Sequence, residues 1–190
     1  MISAFRVVWP QWWMWLFVGA IIVMGVHSFV WPSPGLRDAA GFGLPETDPL
    51  TAAERIGPFL GAIGQAGRGQ YVLAQALDLA TIGLLGSWLT IGIRNAAALL
   101  SGDGYAWLVA LPIGAALADL FEDACLAVVA LAFPPQAISS EVLGAVVILK
   151  FVLYGAAALA LLVLGWFGLR AASDATWPAH SSETEEPDHG

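Results

Sequence analysis

The sequence is poor in charge, cysteine and histidine. Only 12% of its 190 residues are charged, about half the share of an ordinary soluble domain. The single cysteine, Cys125, excludes an internal disulfide and any two-thiol redox site, and therefore the quinone-coupled thiol oxidases. Three histidines, two of them in the C-terminal tail, argue against an internal bis-histidine haem. A net charge of −8 argues against a nucleic-acid partner, which would require a basic face.

Long apolar runs are what the sequence has in abundance. Hydrophobic residues make up 58% of the chain, and the mean hydropathy is +0.76. A helix needs roughly 20 apolar residues to cross a bilayer, and helices satisfy their own peptide groups in lipid. The sequence therefore predicts an all-α integral membrane protein, a four-helix transmembrane bundle within residues 1–170. Its spans are predicted at about 12–31, 71–93, 105–133 and 142–169.

The segments between and after the spans are also predictable. Aromatic residues near the predicted span ends are typical of an interfacial belt; they include Tyr71, Tyr105, Trp107 and Trp166. Residues 32–70 form the one sizeable extramembrane loop, and the acidic tail 171–190 is expected to be disordered, since it cannot bury apolar surface.

Within the first loop, Thr51 and Glu54 have the spacing of a helix capping box. Four apolar residues then repeat at helical spacing, and Gly57-Pro58 predicts that this helix is short or bent. Two placements remain open, one on the membrane surface and one folded back on the bundle. The repeating residues are Ile56, Phe59, Leu60 and Ile63.

Three arginines fall on each side of the predicted membrane, so the arginine count alone does not orient the spans. Arg94 lies in the second short connection, on the side of both termini, and the acidic tail needs no translocation if that side is the cytoplasm. We therefore expect a bacterial inner-membrane protein with cytoplasmic termini.

The most informative feature is a set of ionisable residues inside the predicted spans: Asp78 in the second, Asp119, Glu122 and Asp123 in the third, and Lys150 in the fourth. Each charge near the bilayer centre costs about 2.5–3.5 kcal/mol on insertion scales. Counted from the span ends, all five lie roughly 10–20 Å from the first-loop side. The i, i+3, i+4 spacing of the three acids places them on one helix face. The sequence thus predicts a polar cluster in one leaflet, directed into the bundle.

Other polar residues are placed to extend this cluster. Gln75 and Thr81 flank Asp78, Tyr154 is one turn from Lys150, and His27 lies on the same side but nearer the surface. One lysine cannot balance four carboxylates, so some carboxyls are protonated, a cation is bound, or water reaches the site. No cofactor is required, although the oxygen donors suit a hard cation such as Mg²⁺, Ca²⁺ or Mn²⁺.

The string Ala118-Asp119-Leu120-Phe121-Glu122-Asp123 resembles the third-span motif of uncharacterised bacterial four-span membrane proteins, in which D-x-x-E is followed by Asn or Asp. Pro134-Pro135 and Lys150 match the proline-containing loop and fourth-span lysine of the same group, so the resemblance covers roughly the second half of the chain. Asp123 stands where Asn is expected, which makes the site more acidic. The resemblance implies that the cluster matters without implying a reaction.

Three functional hypotheses follow. In the first, the protein is a small transporter, or a subunit of a membrane complex, whose acid–lysine cluster handles a proton or cation. Since four spans leave little room for a pathway, this hypothesis expects a homo-oligomer or a larger partner. In the second, the cluster locks the helices of a structural or assembly module. In the third, the carboxylates serve a membrane-embedded hydrolase or transferase, which requires a lateral opening beside them.

Overall fold

The computed structural model of the protein describes residues 11–30, 32–47, 51–100, 103–134 and 140–175. Over these residues the regular secondary structure is helical, as the apolar runs predict, and includes no strand. The first long helix is α1 (Gln11–Gly25), and a π-helical turn continues it over Val26–Val30. The other long helices are α3 (Ala52–Ala98), α4 (Ala110–Leu131) and α5 (Ser140–Ala175). A short helix α2 (Ser33–Ala40) and 3₁₀ turns at Pro45–Thr47 and Asp103–Val109 complete the described chain.

Three segments are long and apolar enough to cross a membrane, by length and composition: Trp12–Ala40, Glu54–Ala98 and Glu141–Ala171. Helix α4 differs from them because its 22 residues include three carboxyls. Residues 171–175 of the predicted tail still belong to α5, and the remainder of that tail lies outside the described residues.

Helix α3 is the centre of the packing, since it contacts α1, α4 and α5, while α4 also packs on α5. The contact with α1 is secured by Trp13, whose indole Nε1 donates a 2.9 Å hydrogen bond to the carbonyl of Trp88. The two indole rings stack with their centroids 5.0 Å apart. At the other side of α3, Gly168 of α5 lies so close that a Cβ there would meet Leu99 Cβ at 2.9 Å. The absence of a side chain at Gly168 therefore permits close approach of the two helices.

The first loop is largely helical and folds back on the bundle. The predicted apolar stripe is buried in one core with Tyr71, Leu126 and their neighbours, so it is not a membrane-surface face; Ile56, Phe59, Leu60 and Ile63 are each at most 8% exposed. Helix α3 begins directly after Thr51 and has Glu54 in its first turn, as the predicted capping box requires, but the Thr51 side chain makes no capping hydrogen bond. Instead its carbonyl accepts from the N–H groups of Glu54 and Arg55.

The predicted interruption at Gly57-Pro58 is wrong, because both residues lie within α3. The backbone leaves helical geometry at Gly64, with φ 66° and ψ −174°. This region is accessible essentially to glycine alone. Arg68 stabilises the bend, since its guanidinium donates to the carbonyl of Leu60 at 3.3 Å.

Two apolar cores divide the bundle along its length. One core contains residues of the first loop, the first half of α3 and the end of α4. The other contains Trp13, the end of α3 and the second half of α5. Between them, each of the helices α3, α4 and α5 contributes polar residues at the same level. The fold therefore places a polar layer between two hydrophobic ones.

Candidate functional site

The polar layer contains the five ionisable residues that the sequence singled out. Asp78 comes from α3, Asp119, Glu122 and Asp123 from α4, and Lys150 from α5. Glu122 is fully buried, Asp123 is 4% exposed, and Asp119 and Lys150 are less than a tenth exposed. Asp78 is partly buried. On α4 the apolar residues Leu117, Leu120 and Phe121 occupy the opposite, exposed face.

Lys150 binds two acids of α4 at once. Its Nζ donates a hydrogen bond to Asp119 Oδ1 at 2.9 Å and forms an ion pair with Glu122 Oε2 at 2.5 Å. These two carboxyls are three residues apart on one helix face, so a single ammonium from the neighbouring helix reaches both. The other oxygen of Glu122, Oε1, is buried and meets no hydrogen-bond partner in the described part of the chain. The pair holds α4 against α5 in the interior of the bundle.

The remaining acids gather on the other side of Asp119. One carboxylate oxygen from each of Asp78, Asp119 and Asp123 lies within 4.8 Å of the other two. Asp119 is therefore shared between the lysine pair and this group of three, which we call the aspartate triad. Asp123 Oδ2 is buried and has no hydrogen-bond partner among the described residues.

A further carboxyl enters the layer from the first loop. Glu46, in the 3₁₀ turn Pro45–Thr47, accepts hydrogen bonds from the Tyr71 hydroxyl at 2.9 Å and from Gln75 Nε2 at 3.3 Å. It also lies within electrostatic range of Lys150 and Glu122. Burial raises the pKa of the Glu46 carboxyl above its ordinary value, although these hydrogen bonds and the charge of Lys150 act in the opposite direction. Glu46 thus connects the loop side of the bundle to the cluster.

Sequence reasoning missed Glu46 and misplaced Tyr71. The string Pro45-Glu46-Thr47 carries no periodicity and no spacing that relates it to α4 or α5. Tyr71 was predicted as an interfacial aromatic, but it is fully buried and its ring packs edge-on against Phe59. The only sequence signal for either role is that a tyrosine lies one turn before Gln75 on the helix that also bears Asp78.

The four residues expected to extend the cluster all lie beside it. Gln75 is buried and bonded to Glu46. Thr81 Oγ1 faces Asp78, and the Tyr154 hydroxyl faces Asp119, but neither contact meets the geometry of a hydrogen bond. His27 lies in the π-helical turn within electrostatic range of Asp78. The buried atoms without a hydrogen-bond partner include Thr81 Oγ1, the Tyr154 hydroxyl and His27 Nε2.

A crevice on the outer surface between α3 and α4 leads to the layer. Its volume is about 250 Å³, and most of its walls are apolar side chains of the two helices. Gln75 and Asp123 are the polar residues among its lining. Leu79 and Leu120, at its rim, are each 46% exposed. The crevice is therefore a lateral opening beside the cluster.

The site contains more acid than base. Over the described residues, five carboxyls face one ammonium and one imidazole in this layer. Adjacent carboxylates in a low-dielectric interior repel one another, so the arrangement favours uptake of protons or of a cation. Cys125, the one thiol, is buried beside the layer and belongs to the apolar core on the loop side.

Comparisons with known proteins add no family to this geometry. No family model matches the chain, and neither the curated proteins nor the solved structures include a match.

Proposed function

We propose that the protein is a four-span integral membrane bundle in a bacterial inner membrane, with cytoplasmic termini. The three apolar segments support this proposal by length and composition. Helix α4 fits as the fourth span because its acids are directed inward while large apolar side chains cover its outer face. The outer face of α5 is equally apolar, with Leu162 71% and Trp166 67% exposed. Side chains of this kind suit a lipid environment.

Within that bundle, we propose that the cluster loads and releases a proton or a cation. The observation that supports this most strongly is the imbalance of the layer: Asp119 links the paired lysine to Asp78 and Asp123, neither of which forms an ion pair among the described residues. A purely structural lock needs every acid to be paired, or protonated and hydrogen-bonded, because an unpaired buried charge is destabilising. Asp123 Oδ2, however, has no hydrogen-bond partner among the described residues. Intramembrane ionisable groups of this kind commonly serve ion or proton pathways.

The surroundings of the cluster fit such a role. Glu46 provides an acid at the loop side, where it accepts hydrogen bonds from Tyr71 and Gln75. Lys150 serves as the counter-charge, whose pairing with Asp119 and Glu122 changes when the load changes. A bundle of this size holds one site rather than a long pathway, so we propose a homo-oligomer or a larger membrane complex as the working unit.

Reconstitution into liposomes tests this function. With a pH-sensitive dye inside to detect protons, or a Ca²⁺-sensitive dye to detect a divalent cation, wild-type vesicles should show flux when a potential or an ion gradient is applied. Glu122→Gln keeps the shape of the side chain and removes its charge, so it should leave the protein folded and abolish flux. Glu54→Gln is the matched control, because Glu54 is exposed and lies outside the layer. Equal flux in wild-type, Glu122→Gln and protein-free vesicles would refute the proposal.

The second candidate is a structural or assembly module, favoured by the double contact of Lys150 with two acids of α4. In that case Glu122→Gln leaves both folding and cellular function largely unchanged, and only removal of Lys150 is damaging. The combination of retained fold and lost flux separates the two candidates.

The third candidate, a membrane-embedded hydrolase or transferase, is favoured by the lateral crevice, which reaches Asp123. Its volume of about 250 Å³ lies just below that of ordinary ligand pockets, which begin near 300 Å³. A lipid substrate would need the crevice to widen. Turnover of a labelled lipid by the purified protein, lost in Asp123→Asn, is the result that would favour this candidate over transport.

A further inference from the structure

We propose that the aspartate triad, Asp78, Asp119 and Asp123, holds one hard divalent cation of the size of Ca²⁺, with the Thr81 hydroxyl as a fourth oxygen donor. This inference rests on the proposed function and deepens it, since it assigns a cation and a subset of the cluster. Glu122, which pairs with Lys150, is not a ligand in this assignment.

The spacing of the triad suits a single ion. Two ligands of one ion lie no farther apart than twice the metal–oxygen distance. That limit is about 4.6–5.2 Å for Ca²⁺ and about 4.2 Å for Mg²⁺. The three carboxylate oxygens lie within 4.8 Å of one another. Every pair of these oxygens therefore lies within the limit for Ca²⁺, and Mg²⁺, whose bonds to oxygen are shorter, requires a more compact triad.

A second observation, independent of the acidity, points to a ligand. Thr81 is 8% exposed, lies one helical turn from Asp78, and turns its buried Oγ1 towards that carboxyl without completing a hydrogen bond. Asp123 Oδ2 is likewise buried, with no hydrogen-bond partner in the ranges that the structure describes. A buried hydroxyl and a buried carboxylate oxygen each cost free energy when nothing binds them. Coordination of one cation satisfies both.

The charge balance also favours a dication. Four carboxylates of the spans and the ammonium of Lys150 give a formal charge of −3, and one divalent cation reduces it to −1. Asp119 can serve both neighbours, because Oδ1 accepts from Lys150 and Oδ2 is not used in that hydrogen bond. Lys150 then fixes the orientation of Asp119, one of the three carboxylate ligands, as residues that hydrogen-bond to metal ligands commonly do.

The donor set selects hard cations over soft ones. All three acidic ligands and the hydroxyl offer oxygen, which suits Ca²⁺, Mg²⁺ and Mn²⁺. Neither Cys125 nor His27 belongs to the group of mutually close ligand atoms among the described residues. Asp123 lies among the lining residues of the crevice between α3 and α4.

Binding to the detergent-purified, metal-stripped protein tests the assignment. Calorimetry with Ca²⁺ and electron paramagnetic resonance with Mn²⁺ should each report one site per chain, with Mg²⁺ binding more weakly. Asp123→Asn should weaken binding at least about tenfold, the scale on which metal sites respond even to loss of outer partners. Thr81→Val should weaken binding while Thr81→Ser retains it. Glu54→Gln is the matched control, since it neutralises an exposed acid outside the layer and should preserve the site.

The outcomes separate this inference from the function on which it rests. Absence of saturable binding by Ca²⁺ and Mn²⁺ in the folded wild type overturns the site, whether or not proton flux is measured. Binding that Asp123→Asn and Thr81→Val leave unchanged marks an adventitious ion and also overturns it. Binding at the triad without flux in liposomes would support the site and contradict the transport proposal. Thermal unfolding of each variant shows that a loss of binding does not reflect a loss of fold.

Discussion

Replacing Lys150 by methionine removes the ammonium that holds α4 against α5 while preserving much of the side-chain volume. Nζ lies 2.9 Å from Asp119 Oδ1 and 2.5 Å from Glu122 Oε2, and Glu122 has no exposed surface. Without the lysine, two buried carboxylates lose their counter-charge. Removing one partner of a buried ion pair typically costs 3–5 kcal/mol, so we expect the free energy of unfolding of Lys150→Met to fall by about 4 kcal/mol.

Neutralising the acids together with the lysine should rescue stability. Replacing the whole ion-paired group by neutral side chains is often neutral or stabilising. The triple variant Lys150→Met, Asp119→Asn, Glu122→Gln should therefore unfold within about 1 kcal/mol of the wild type or above it. This rescue keeps the prediction testable if Lys150→Met alone fails to fold.

Reversible unfolding in mixed detergent micelles, followed by circular dichroism, measures these differences. Arg94→Met is the control, because it removes an exposed cation from α3, outside the polar layer. It should change the free energy of unfolding by less than about 0.5 kcal/mol. If Lys150→Met unfolds like Arg94→Met, the ion pairs do not stabilise the bundle and the argument fails.

Two further predictions concern packing and pH. Gly168→Ala places a Cβ 2.9 Å from Leu99 Cβ, so overpacking should lower the free energy of unfolding by about 1–3 kcal/mol. Gly165→Ala is the control, because a Cβ there meets nothing within 4 Å, and thermal unfolding should show it to be neutral or slightly stabilising. Equal effects at the two positions would contradict the close approach of α3 and α5. Because burial raises the pKa of Glu46 above 4.5, the folded state holds its proton to higher pH than the unfolded state. The stability that Glu46 contributes should thus be complete below about pH 4.5 and should fall as the pH rises through the folded-state pKa. The difference in free energy of unfolding between wild type and Glu46→Gln should therefore decrease over that range. A difference that does not depend on pH would refute the raised pKa of Glu46.

The sequence predicted the helices and the ionisable residues of the spans because both depend on local patterns. Apolar runs of sufficient length predict helices α1, α3 and α5. The i, i+3, i+4 spacing of the acids puts them on one face of α4, and helical rise gives their common depth. These inferences need no knowledge of how the helices pack.

What the sequence did not predict depends on tertiary contacts. Glu46 enters the layer because the first loop folds back on the bundle and Tyr71 is available to donate to it. No local pattern around Pro45-Glu46-Thr47 indicates that docking. The bend at Gly64 was missed for a related reason: Gly57-Pro58 is the stronger local signal for a break, but the buried stripe keeps that stretch helical, and Arg68 satisfies the Leu60 carbonyl freed near Gly64.

Solid-state NMR of the protein in lipid bilayers tests the central claim most directly, that side chains of different helices meet in one buried layer. Lys150 is the single lysine of the chain, so ¹⁵N-lysine labelling reports on its Nζ alone. With ¹³C-labelled aspartate and glutamate, Nζ should show strong dipolar coupling to one aspartate and one glutamate carboxyl carbon. The first coupling should disappear in Asp119→Asn and the second in Glu122→Gln when the asparagine and glutamine carry no label. Absence of both couplings in the folded wild type would contradict the account.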